Sequence, residues 1–90
     1  MTNDFELSQY LDSKEMIAEY LSQVLEDGDM DELLSAIGHI AKAKGMSQVS
    51  KDTGLGRESL YKAFAKGSKP KFDTVLKVLN SLDIKLKAVA

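Results

Sequence analysis

MSQVSKDTGLGRESLYKAFAKG, residues 46–67, is the stretch whose reading decides the fold. Val49, Leu55, Leu60 and Ala63 are apolar where two short helices would turn toward each other, and Gly54 lies between them. Glycine takes the left-handed conformation of a tight turn without a Cβ clash. Ser50, four residues before Gly54, is small enough to stand where two helices cross. The stretch predicts a short helix capped by Ser47 and ending near Thr53, a turn at Gly54-Leu55, and a second helix from Gly56 to about Phe64 or Ala65. Those are the parts of a helix-turn-helix, although short helical hairpins in general share some of them.

The flanking sequence supplies helices on both sides. Upstream, Leu33, Leu34, Ile37, Ile40 and Ala41 recur at helical spacing, which predicts a helix over about Met30–Lys44. Asp29 with Glu32 three residues on is a capping-box spacing, Lys42 and Lys44 suit a last turn, and Gly45 is a stop. Gly38 would permit a close helix crossing. An earlier helix is expected over about Ser13–Glu26, capped by Asp12 and apolar at Met16, Ile17, Tyr20, Leu21, Val24 and Leu25. Asp27-Gly28-Asp29 breaks it, and Met1 to Leu11 reads as an irregular arm. Downstream, Lys66 to Lys71 is a basic loop, and Phe72, Val75, Leu76, Val78, Leu79 and Leu82 predict a final helix. Ile84-Lys85-Leu86-Lys87 alternates apolar and basic residues, the period of a strand. A lone strand needs a partner, so Ile84, Leu86 and Ala88 are candidate dimerisation residues, with a partner's sheet edge as the rival. The expected organisation is 1–28, an arm and acidic helix, followed by 29–90, the helix-turn-helix domain with its tail.

A chain of 90 residues forms one small domain, often completed by dimerisation. The absence of cysteine excludes disulfides and thiolate metal sites, and one histidine provides no cluster for zinc. No cofactor or metal is expected. His39 is read as a side chain without a chemical role, and nothing resembles a phosphate loop or catalytic constellation, so an enzyme is not expected. No apolar run is long enough to span a bilayer, and MTNDFELSQ lacks the regions of a signal peptide, so a soluble cytoplasmic protein is expected. The net charge of −2 conceals a split. Residues 1–45 hold ten acidic and three basic side chains, hence −7; residues 46–90 hold four and nine, hence +5. A basic half suits a polyanion and an acidic half a basic partner, whereas two solvated faces of one globule would carry the same charges.

If the second motif helix enters a DNA major groove, its first residues reach base edges. Those are Arg57, Glu58 and Ser59, with Tyr61 and Lys62 one turn on. Arginine can donate two hydrogen bonds to guanine, and glutamate can accept from cytosine N4. Ser47, Gln48, Lys66, Ser68 and Lys69 would lie near phosphates and set register without reading sequence. The competing readings are ordinary: Glu58 as a helix-dipole partner, Arg57 and Lys62 as solvated charges, Tyr61 as a packed ring.

The chain also resembles a known family nearly end to end. The matching segments are Gln9 to Ser13, Leu25 to Asp29, Ile40 to Gln48, Thr53 to Tyr61 and Phe72 to Leu79. They are similar to the small HigA-type antitoxins, the addiction-module antidote proteins of the Xre/Cro helix-turn-helix class. The resemblance implies an all-α, five-helix, lambda-repressor-like domain with an N-terminal helical extension and a short C-terminal dimerisation strand. It also implies a homodimer that binds an operator in its own promoter and neutralises a HigB/RelE-like toxin, a small basic ribonuclease that cleaves messenger RNA. Charge complementarity then points to Glu15, Glu19, Tyr20 and Glu26 as toxin-binding residues. Two positions depart from the wider class. Met46 stands where a phosphate-binding Gln is common, and Gly56 where a Ser or Thr caps the recognition helix. A stand-alone Cro-like regulator without a toxin, and a protein-interaction module that never meets DNA, are the alternative readings.

Overall fold

The computed structural model describes residues 14–90. The arm Met1 to Leu11, the Asp12 cap and the expected start at Ser13 lie outside the described residues. Five helices follow in order: α1 Lys14–Asp27, α2 Met30–Lys44, α3 Met46–Thr53, α4 Arg57–Ala63 and α5 Phe72–Ser81. The Asp29 carboxylate accepts from the Glu32 N–H at 3.1 Å and starts α2 where the spacing placed it. Such a cap is worth ~1 kcal/mol.

The expected cap of α3 is corrected. The helix begins at Met46, and Gly45 precedes it without a side-chain cap. Gly45 donates its N–H to the Ala41 carbonyl at φ 114, so one residue ends α2 and leads into α3. Ser47 is thereby drawn inside the helix.

α3 is the hub. It packs against α2, α4 and α5, while α1 lies on α2. The core joins Leu21 and Val24 of α1, Ile37, Ile40 and Ala41 of α2, Met46 and Val49 of α3, Leu60 of α4, and Val78 and Leu79 of α5. No polar or charged side chain is buried among the described residues. Two expected core positions are exposed at α1, Met16 and Leu25, and Phe72 is exposed at the start of α5. Met16 and Phe72 lie in the first turns of their helices, and Leu25 lies in the last turn of α1.

α5 stops without glycine. Asp83 takes φ 63, and the Ile84 N–H donates to the Leu79 carbonyl at 2.9 Å. This is the six-to-one bond of a Schellman stop, and Ile84 packs against the core as its apolar partner. The Lys14 ammonium reaches Asp83 at 2.7 Å and ties α1 to this stop. A second tie runs from the Lys44 ammonium to the Ser81 carbonyl.

The expected C-terminal strand is not present: residues 84–90 carry no regular secondary structure, and the described residues contain no strand. A ladder needs a second strand, and a single chain of helices provides none. Leu86 and Ala88 are exposed, whereas Ile84 is half-buried.

Candidate functional site

The turn between α3 and α4 is held by side chains as well as by glycine. Gly54 takes φ 76, ψ 7, and its N–H donates to the Ser50 carbonyl. The Ser50 hydroxyl donates to the Leu55 carbonyl at 2.5 Å. Thr53 bridges the same turn: its hydroxyl donates to the Val49 carbonyl at 2.8 Å and accepts the Leu55 N–H at 3.2 Å. Ser50 thus does more than leave room, and Thr53 has a part in the turn that helical spacing does not indicate; its signal in the sequence is a hydroxyl residue directly before a turn glycine.

α4 is short, and isolated helices of its length are not stable in water. Leu60, fully buried, anchors it, with Ala63 and Phe64 half-buried beside it. The anchor leaves Arg57, Glu58, Ser59 and Lys62 on the solvent side. Arg57, Glu58 and Lys62 make no ion pair among the described residues, so their polar ends are open to a ligand.

Tyr61 differs. It is 45% exposed and turned toward α2, with the Lys42 ammonium 5.8 Å from its ring centroid. The approach of α2 to α4 depends on Gly38. A Cβ there would stand 3.1 Å from the Phe64 Cβ, tighter than side chains ordinarily accept.

The candidate phosphate contacts divide. Ser47 is exposed in the first turn of α3. Gln48 is exposed, but its amide donates to the Asp52 carboxylate at 2.8 Å. Lys66 and Lys69 are exposed beyond α4, and Ser68 is half-buried with its N–H bonded to the Ala65 carbonyl. The basic loop therefore borders α4, as its place in the sequence required.

The acidic side of the molecule is α1 and the start of α2. Glu15, Glu19, Glu26, Asp27, Asp31 and Glu32 are exposed there. Tyr20 is half-buried against the core; burial pushes its phenol up, and the nearby Glu32 charge adds to the shift. Of the predicted toxin-binding set, the acidic members Glu15, Glu19 and Glu26 are exposed.

No three His, Cys, Asp or Glu side chains among the described residues converge on a metal-sized site. No helix among them is long and apolar enough to cross a membrane.

A family model described as "probable addiction module antidote protein" matches residues 1–90. An uncharacterised protein of Haemophilus influenzae is 40% identical over 84 residues, covering 93% of this chain and 87% of that protein. No solved structure matches.

Proposed function

The chain belongs to the family of probable addiction module antidote proteins, and on that premise we propose that it is a HigA-type antitoxin that binds operator DNA as a homodimer. An antidote implies a toxin, and family membership makes a toxin–antitoxin role the coarse function. In the finer reading the chain represses its own promoter and neutralises a HigB/RelE-like toxin. The observation that carries the DNA half is α4: Leu60 roots it in the core while Arg57, Glu58, Ser59 and Lys62 face outward without ion-pair partners. A groove-reading helix needs that division between anchor and reader. The +5 charge of residues 46–90 supports the same reading, because phosphate neutralisation supplies much of the affinity.

The toxin half rests on the acidic surface of α1 and on charge complementarity with a basic protein. Of the candidate dimerisation residues Ile84, Leu86 and Ala88, the exposed Leu86 and Ala88 are where a second subunit would dock.

A gel shift with a duplex from upstream of the gene tests the DNA half. Arg57→Ala should erase the preference over a random duplex of equal length while the circular dichroism spectrum stays unchanged. Retained preference would remove Arg57 from base recognition, and no shift by the wild-type chain at low salt would end the DNA reading. Co-expression with the small basic protein encoded beside it tests the other half. The pair should co-purify, and a chain carrying Glu15→Gln, Glu19→Gln and Glu26→Gln, all on the exposed face of α1, should lose the partner. Co-purification undiminished by those changes would move the toxin surface elsewhere.

A further inference from the structure

Two lysines close α2, and their surroundings differ. Lys44 is committed: its ammonium donates to the Ser81 carbonyl and stands 3.9 Å from the Asp52 carboxylate. Lys42 is exposed and makes no ion pair among the described residues. Its ammonium lies over the Tyr61 ring instead. An aromatic face attracts a cation through its quadrupole and carries no net charge, so it orients the ammonium without neutralising it. The result is a directed, uncompensated positive charge beside α4.

Its placement follows from the packing. Gly38 lets the α2 backbone close on Phe64, and four residues later the same face of α2 presents Lys42 to Tyr61. His39 and Lys42 of α2 and Tyr61 of α4 border one shallow groove with Leu60 in its floor. The α4 residues that would read bases start one turn before Tyr61, at Arg57. A duplex engaged by Arg57 would bring a backbone phosphate past this rim.

We propose that Lys42 is a DNA-phosphate contact contributed by α2, and that Tyr61 is its positioning residue and not a reader of bases. The proposal rests on the DNA-binding reading above and adds a second helix to the interface.

Fluorescence anisotropy tests it, using the upstream duplex and a random-sequence duplex of equal length from 50 to 200 mM salt. One phosphate contact carries a slope of about −0.9 in log affinity against log salt, which is about eightfold at 0.1 M salt relative to 1 M. Lys42→Met should weaken both duplexes by about that factor, flatten the salt slope by about one, and leave the ratio between them unchanged. Lys42→Arg and Tyr61→Phe, which keep the charge and the ring, should bind within twofold of wild type. Tyr61→Leu should weaken both duplexes in parallel. If the wild-type chain binds and Arg57→Ala loses preference, an unchanged affinity and slope for Lys42→Met overturns the proposal alone. A folded Lys42→Arg as weak as Lys42→Met also overturns it, because the defect would then follow packing and not charge. Loss of the duplex ratio in Tyr61→Phe would return Tyr61 to the base-reading set. No binding by the wild-type chain overturns the proposal and the DNA reading together.

Discussion

Leu60→Ala should separate a cooperative domain from one whose α4 comes loose by itself. Leu60 is 0% exposed and belongs to the same core cluster as Ile37, Val49 and Val78. The change removes about three carbons at ~0.8 kcal/mol each, roughly 2.4 kcal/mol of lost burial. A cavity term adds to this. For a site that collapses in part, that term is about 1 kcal/mol. The expected loss is therefore ~3 kcal/mol, against a total on the order of 5–13 kcal/mol for a domain of this size. In urea, with a slope of about 1 kcal/mol per molar, the midpoint should fall by about 3 M with the slope unchanged. Lys62→Ala, on the exposed face of the same helix, should stay within about 0.5 kcal/mol of wild type. Far-UV circular dichroism gives the midpoints, and amide exchange shows which helices share the loss. A midpoint that barely moves while only α4 amides lose protection would refute the single-core argument and make α4 a separately opening unit.

Other outcomes follow from the turns and the helix stop. Gly54 holds φ 76 with nothing near the place of a Cβ, so substitution strains only the backbone. Gly54→Val should lose at least ~1–2 kcal/mol in urea denaturation and Gly54→Asn clearly less, because Asn tolerates the left-handed region; equal losses would contradict this. Gly56 is different: at φ −66, ψ 151 a Cβ meets only the Ser59 hydroxyl at 4.0 Å. Gly56→Ser should add the missing cap, stabilise the fold by a few tenths to about 1 kcal/mol and so raise the thermal midpoint; a lowered midpoint would show hidden strain. At Asp83, the hydrogen bond from Lys14 and then its charge hold the carboxyl below its ordinary range. Its contribution is present at neutral pH and is lost as the pH falls through that lowered value. The same hydrogen bond and charge raise Lys14, whose contribution is lost only as the pH climbs above the usual lysine range. Asp83→Asn should therefore reduce the loss of thermal stability on acidification below pH ~4, modestly because the pair is exposed. An unchanged acid profile would show that the pair contributes nothing in solution.

Much of the helical layout was legible because its causes are local. The period of Leu33 to Ala41, the Asp29 cap and the Gly54 turn each depend on residues a few positions apart, and the structure has α2 and the α3–α4 turn where those residues indicated. The tail shows the limit of that reasoning. Alternation over Ile84 to Lys87 satisfies the local rule for a strand, but a strand exists only as part of a ladder, and the Asp83 stop draws Ile84 onto the core instead.

For the candidate site, spacing alone identified the outward residues of α4 and the residues that would anchor it. Only the packed fold decided which charges remain open. Lys42 and Lys44 are equivalent as sequence, two lysines in one last turn. Their difference arises because Gly38 brings α2 against Phe64, setting Lys42 over Tyr61 while Lys44 meets Ser81 and Asp52. Helix periodicity says which residues share a face; it carries no information about which face of another helix will lie opposite. That is set by how the side chains of all five helices fill one core.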